Sequence, residues 1–479
     1  MAERFASDST RVITRPFVPG DRQRIERIVD RVCSLSEDEA RALLAGVLAD
    51  FAERHKDVGD VFEDNFRQVV GDLAAGRDLS RQRRMLIGSY CTMEYSIESA
   101  ALFNPSIVVH PDQTGLAAGA VRFIMSLRAT GEGHVSSIVF RTGVIDADGD
   151  LSVDPVSRFV ERARQVKDRI YQKEVIFLKL IEMAGYNQAV QAVLDHLAEQ
   201  FTFSDLEAAI DRARNDGDPS PDLREAADTM RWLARSNYHL TFPEECTPSE
   251  VVIFPTSESE SRGIEDARFV RFVDDDGSVM YYGTYTAYNG VRILPQLLET
   301  SDFREFRITT LNGKYVQNKG LGLFPRKLDG WYVMISRLDG ENMYLMRSKS
   351  IRFWNEAEVL QRPVFPWEFV QIGNCGSPIE TSRGWLVMTH GVGPMRRYCI
   401  GAILLDLEDP SRVIGQLSEP LLAPNDEERE GYVPNVVYSC GALIHNDELI
   451  LPYAMSDSAS TFARVPLPEL LDRLVDGSR

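Results

Sequence analysis

Apolar positions in the first hundred residues fall on a helical period. Ala40, Leu43, Leu44, Val47, Leu48 and Phe51 follow the three–four spacing of one buried helix face. Ser36-Glu37-Asp38-Glu39, just before them, reads as a capping box, with the Ser36 hydroxyl taking a first-turn N–H while Glu39 reaches back. A second helix is predicted over residues 61–73, and residues 1–99 as a whole read as a helical extension suited to packing or oligomerisation. From residue 100 the period shortens to two. Residues 104–109 read as a strand, 110–115 as a loop and 121–128 as a returning strand; 136–141 and the turn Asp146-Ala147-Asp148-Gly149 continue the pattern. Residues 155–246 turn helical again. Val160, Ala163, Val166, Ile170, Val175, Leu178, Leu180 and Ile181 predict one long helix, and Ser204 with Glu207 caps another over 205–214. A loop at 216–221 precedes a last helix through Trp232.

After residue 247 almost everything reads as short strands, and they repeat. Hairpins close around Asp274-Asp275-Asp276-Gly277, Leu328-Asp329-Gly330, Ser382-Arg383-Gly384 and His445-Asn446-Asp447, roughly every 50–60 residues. With the pair around Asn104 and Arg128, that makes five units. The reading is a mainly β body, a five-bladed propeller, with helical additions; the period alone leaves a two-sheet sandwich open. The domains follow: 1–99 helical N-terminal extension, 100–154 first part of the propeller, 155–246 helical insertion, 247–479 remainder of the propeller. A propeller turns the ends of its inner strands towards one channel. Arg128, Asp266 with Tyr285, Lys319 with Arg337, His390 and Asp457 are therefore expected to converge.

The formal net charge of -19 argues against nucleic acid or an anionic membrane as main partner, though not against a small anion held in a local basic site. Six scattered cysteines without a CxxC pair suit reduced thiols, and no leader or spanning segment is evident, so the expected location is the cytoplasm. Seven histidines include no HExxH, and no GxSxG elbow occurs, so no metal or cofactor is expected. Gly131-Glu132-Gly133 lacks the third glycine and the following helix of a dinucleotide loop. The densest chemistry lies in Ser261-Arg262-Gly263-Ile264-Glu265-Asp266-Ala267-Arg268, where two adjacent carboxylates sit between arginines at the mouth of a strand. Such groups are costly to desolvate unless paired. A solvated turn with surface ion pairs is the plainer alternative.

Gly263-Ile264-Glu265-Asp266-Ala267-Arg268, Tyr285-Thr286-Ala287-Tyr288, Leu323-Phe324-Pro325-Arg326-Lys327, Gly376-Ser377-Pro378-Ile379, Gly384-Trp385-Leu386, His390-Gly391 and Val433-Pro434-Asn435-Val436-Val437 stand in one order along the chain. On these motifs the sequence resembles glycoside hydrolase family 130, the mannoside phosphorylases and related β-mannosidases, over about 104–128 and 247–465. The resemblance implies a five-bladed propeller whose general acid is Asp266. Inorganic phosphate would be the co-substrate, held by Lys319, Arg337, Gln371, His390 and Tyr398. The sugar would be held by Asn104, Arg128 and Asp457. Lys319 stands where the family has an arginine and Gln371 where it has a lysine; Arg396 and Arg397 are candidates to restore the lost charge.

The resulting expectation is an inverting β-mannoside phosphorylase that converts a manno-oligosaccharide or mannosyl-glycan and phosphate to mannose 1-phosphate. Hydrolysis by water, with Glu368 or Glu380 as second carboxylate, mannosyl transfer on the same scaffold, and a non-catalytic glycan-binding propeller are the alternatives. A homo-oligomer built through the helical extension is the candidate assembly.

Overall fold

In the computed structural model of the chain, residues 3–74, 76–166, 169–183, 185–216 and 221–476 are described; residues 217–220, most of the loop expected at 216–221, lie outside the described residues. Five sheets form the body, antiparallel except for one short parallel pair at the edge of the first. The first is led by Ala101–Val109, Val121–Thr130 and Ser136–Ile145, and the second by Ile264–Val273, Val279–Tyr288, Ile293–Thr300 and Glu305–Thr310. The third runs from Gly322–Leu323 to Glu356–Gln361 and the fourth from Gln371–Asn374 to Val413–Gln416. The fifth holds Val437–Tyr438, Leu443–His445, Glu448–Met455 and Ala459–Pro466.

All four repeated hairpins form in the predicted register. The third-sheet turn shows why: Asp329 and Gly330 both have positive φ (51° and 72°), the two-residue conformation that matches strand twist, and Asp-Gly adopts it readily. Successive sheets are joined by hydrogen bonds in a closed cycle. Phe269 N donates to Ser106 Oγ (3.0 Å). Val273 N then meets Pro325 O, Ile372 N meets Glu341 O, Tyr398 N meets Asn435 O, and Cys440 N returns to Pro105 O, at 2.8–3.0 Å. The fold is mainly β, with helices gathered at the N-terminus and in the insertion and one more, Leu467–Asp476, after the fifth sheet.

The helical additions differ from expectation in four places. First, residues 1–99 are not helical throughout. Asp8–Pro16 and Thr92–Glu98 pair as antiparallel strands on either side of the helices Arg22–Cys33, Glu37–Phe51, Val58–Asn65 and Arg81–Ser89. The Arg11-Val12-Ile13-Thr14 run is buried at every position, as a strand covered on both faces is, and shows no helical period. This pair is fastened by a buried network in which Glu98 accepts from Arg141 Nη2 (2.9 Å) and also meets Arg11.

Second, the helix predicted over 61–73 ends at Asn65 and continues as wide and tight turns to Ala74. Third, the long helix predicted through residues 160–181 begins only at Lys173. Glu161–Arg162 and Arg164–Gln165 instead complete the edges of the first and second sheets, whose unpaired backbone groups they satisfy. Fourth, the cap at Ser204 lies two residues earlier. Thr202 and Asp205 exchange hydrogen bonds (2.8 and 3.2 Å) and start the helix Phe203–Asp216. The Ser36–Glu39 capping box is present as read, with Ala40 and Leu44 buried beneath it but Leu43 turned outward. Among the described residues no helix is long and apolar enough to cross a membrane, and all six cysteines are free.

Candidate active site

Two irregularities in the leading strands create the site. The first sheet slips register between Phe103 and Ser106 and the second between Glu265 and Arg268. A bulge re-aims the side chains at its centre. The residues so placed, Asn104 (φ 50°) and Asp266 (φ 55°), hold left-handed backbone, as does Asp457 (φ 52°). Such conformations cost about 1–3 kcal/mol for a non-glycine residue and persist where surrounding structure enforces them.

Asp266 lies at the centre. Its Oδ1 accepts from Asn104 Nδ2 at 2.7 Å and Arg128 Nη1 at 3.3 Å. Arg128 Nη2 bridges to Glu265 at 3.0 Å, and Lys319 Nζ closes on the other Glu265 oxygen. These side chains are covered but reachable: 15 % of Asp266, 20 % of Arg128 and 33 % of Lys319 remain exposed. Burial, the largest influence on Asp266, pushes its pKa upward. Arg128, Arg268, the Asn104 hydrogen bond and Lys319 together outweigh it and hold the carboxyl below the ordinary value. Asp457 goes the other way. Burial first, then the neighbouring Asp266 carboxylate, lifts it to about 6 against the pull of Arg128 and Arg396.

A second group of side chains surrounds Arg337. Its Nη1 lies 3.3 Å from His390 Nε2, and His390 Nδ1 donates to the Asn374 carbonyl at 3.1 Å. That fixes the imidazole tautomer with Nε2 as the acceptor. Burial, then the Arg337 and Arg268 cations, hold the His390 pKa well below the ordinary value, so the ring is neutral. With its amide oxygen on Arg337 Nη1 (2.5 Å), Gln371 donates to the Gly340 carbonyl at 3.3 Å. Tyr398 stacks on His390 with ring centroids 6.0 Å apart. Gly373 keeps this corner open, since a Cβ there would stand 2.5 Å from the His390 ring. Among the described residues Arg337 has no carboxylate within ion-pair distance. Asn104 Oδ1 is likewise buried without a partner.

The structure thus brings together Asn104, Arg128, Asp266 and Lys319 around the paired carboxylates, and Arg337, Gln371, His390 and Tyr398 around one cation. Asp457 and Arg396 lie within electrostatic reach of the first group, and Arg396 also sits over the Tyr398 ring at 5.7 Å.

Several expected placements are not met. Tyr285 turns away: its hydroxyl joins that of Tyr238 on buried Glu260, each at 2.7 Å, because strand alternation carries it to the outer face. Lys319 is engaged by Glu265. Arg268 does not pair the Asp266 carboxylate; it donates to the Asp266 carbonyl (3.0 Å) and to the Tyr438 hydroxyl (2.6 Å). Arg397 reaches the Pro424 carbonyl instead of the site. Neither candidate second carboxylate faces Asp266. Glu380 makes a two-pronged surface pair with Arg326 (2.8 and 2.9 Å), and Glu368 is buried on the backbone N–H groups of Val364 and Phe365. Sequence reasoning missed Asn374 and Tyr438, although each adjoins a quoted motif: Gly376-Ser377-Pro378 in one case, Val436-Val437 in the other. Among the described residues, no three His, Cys, Asp or Glu side chains group as metal ligands.

Comparison with known proteins agrees with the arrangement of motifs. The family model described as beta-1,4-mannooligosaccharide phosphorylase matches residues 242–476. A 1,2-beta-oligomannan phosphorylase of Thermoanaerobacter sp. is 34% identical over 225 residues, covering 45% of this chain and 72% of that one. A beta-1,2-mannobiose phosphorylase of Listeria innocua is 29% identical over 251 residues, 50% of this chain and 68% of its own. The solved structure of a Listeria innocua beta-1,2-mannobiose phosphorylase with beta-1,2-mannobiose aligns over 79% of this chain and 93% of that chain, at 21% identity and a TM-score of 0.46. With the family matched across four of the five sheets and a relative 34% identical over 72% of its own length, the chain belongs to glycoside hydrolase family 130, a family of mannoside phosphorylases.

Proposed function

We propose that the chain is an inverting β-mannoside phosphorylase on a five-bladed propeller, cleaving a manno-oligosaccharide or mannosyl-glycan with inorganic phosphate to give mannose 1-phosphate. The observation that carries this reading is Arg337: a covered cation with only neutral neighbours, close to a covered carboxyl. An anion is the missing partner, and a guanidinium fork matches phosphate.

Asn104, Arg128 and Asp457 hold the sugar. Phosphate, oriented by Arg337, His390 and Tyr398, attacks the anomeric carbon as the glycosidic bond breaks. Asp266 supplies the proton to the leaving oxygen, relayed through a mannose hydroxyl as the family resemblance implies. The count closes, since the hydrogen carried in on HPO₄²⁻ leaves on the alcohol. Asp266 rests below its ordinary pKa in the free protein. The entering dianion adds negative charge and expels water, and both push that carboxyl towards its protonated form. An inverting hydrolase needs a second carboxylate to activate water. The engagement of Glu380 and Glu368 elsewhere speaks against that route, and phosphate needs only positioning.

The test is turnover of β-1,2- and β-1,4-mannobiose with and without phosphate. Mannose 1-phosphate should appear in proportion to phosphate; equal release of free mannose in phosphate-free buffer would sink the reading.

A further inference from the structure

A second basic site lies between the insertion and the outer strands of the second sheet. It is a cavity of about 480 Å³, and its walls carry Arg169, Arg307, Arg352 and His239. Arg307 and His239 are cross-strand partners on the sheet, while Arg169 arrives from the insertion and donates to the Ile308 carbonyl at 2.9 Å. Arg307 and Arg352 both stand within electrostatic reach of Arg169. Burial first, and then its Arg307 and Arg352 neighbours against Tyr171, lower Arg169 to about 10.

Only two carboxylates approach this group among the described residues. Glu299 holds Arg352 at 2.5 Å, and the largely exposed Glu305 lies 3.8 Å from His239. Arg169 and Arg307 have no ion pair there. Proteins seldom gather like charges around one cavity without a counter-ion. On a chain of net charge -19 the concentration is all the more pointed.

A second observation points the same way. Thr309, on the cavity wall, is only 5 % exposed, yet its hydroxyl has no hydrogen-bond partner. A buried hydroxyl is rarely left so unless something else binds it. The remaining lining, the amides of Gln172 and Gln200 and the Tyr171 ring beneath Arg169 at 5.5 Å beside the aliphatic Val166, Ile170, Val175 and Ile176, suits a body with both hydroxyls and C–H faces more than a bare ion.

We propose that this cavity binds a phosphate monoester of a small polyhydroxylated molecule, a sugar phosphate, with Arg169, Arg307 and Arg352 on the phosphate and Thr309 as an additional ligand. It shares no residue with the site around Asp266, and the proposal does not depend on the reaction assigned there.

The test is titration calorimetry on the full chain carrying Arg337→Ala, which removes the anion ligand of the first site. The probes are α-mannose 1-phosphate, glucose 6-phosphate, inorganic phosphate and free glucose. At least one sugar phosphate should bind saturably, with one site per chain, while free glucose gives no heat. Arg307→Gln, a change to an exposed side chain, should weaken that binding about tenfold, the loss of one charge-assisted hydrogen bond. Thr309→Val should weaken it less. Absence of saturable binding by both sugar phosphates up to about 10 mM, well beyond a millimolar dissociation constant, overturns the proposal. So does binding that Arg307→Gln leaves unchanged. Inorganic phosphate binding as tightly as either ester overturns the assignment to a sugar phosphate.

Discussion

Around Asp266 each charged side chain has an opposite: Arg128 spans Asp266 and Glu265, and Lys319 holds the far Glu265 oxygen. Around Arg337 there is no such balance. Its partners are a neutral imidazole and an amide, and Tyr398 stacks on that imidazole. In the first group the carboxylates of Asp266 and Glu265 already have their cations. In the second, the cation has no counter-ion among the described residues. Both kinds of residue read as charged positions near strand ends, so the difference lies in who their neighbours are.

Four measurements put that contrast at risk. The largest effect is expected from Asp266→Asn, which keeps the Asn104 and Arg128 contacts sterically but removes the proton. Turnover should fall by about 10²–10⁴-fold, the usual worth of a general acid, with the melting temperature nearly unchanged. A variant that retains most activity would mean that the paired group is structural. Next, Arg337→Ala should raise the phosphate KM by about 10–100-fold, in line with the loss of hydrogen bonds from a charged group, and should leave the mannoside KM within about twofold. A loss shared equally between both substrates would erase the distinction between the two groups.

Gln371→Lys restores a charge beside Arg337. Phosphate KM should drop by about tenfold at most, one charge-assisted hydrogen bond. A rise instead would show that the guanidinium is already as much cation as the corner tolerates.

The smallest effect concerns pH and Asp457. Its folded pKa is raised from 3.8 to about 6, so between those values the folded chain binds a proton that the unfolded chain has lost. Stability from this group is fully present below pH 4 and is lost as pH rises through 6. Asp457→Asn removes the term. The melting temperature of the variant relative to the parent should therefore climb by about 2 °C between pH 4 and 7. A gap that moves the other way would show that the charged form is the one the fold stabilises.

Much of the β body was legible because its signals are local. The Asp329-Gly330 turn, the Asp274–Gly277 turn and the Ser36–Glu39 box each specify their own geometry within four residues. What escaped was pairing at a distance. Asp8–Pro16 is a strand only because Thr92–Glu98, some eighty residues on, lies beside it. Glu161–Arg162 is a strand only because the edge of the first sheet is waiting. In the second, spacing compatible with a helix was overruled by unpaired backbone elsewhere. The candidate site followed the same rule. Asp266, Arg337 and His390 could be named from motifs, whereas the capture of Lys319 by Glu265 and the rotation of Tyr285 onto Glu260 depend on which face of a twisted strand looks inward. Sequence carries the alternation; only the assembled sheets decide its phase.

Phe5 and Ser460 exchange both backbone hydrogen bonds, 2.9 and 2.8 Å, so residues at opposite ends of the chain meet beside the fifth sheet. This has a consequence for the order in which the protein is made. A ribosome that has completed the second, third and fourth sheets has still not delivered Asp457 or the partner that Phe5 awaits. The first sheet remains open on one side throughout, because its neighbour in the cycle is the last to emerge. Contacts this distant along the chain are slow to form, and a nascent chain stalled before residue 457 carries Asp266 and Arg337 but lacks the last carboxylate near them. The group around Asp266 therefore gains Asp457 only once the fifth sheet has been made, and Phe5 waits for the same sheet to supply Ser460.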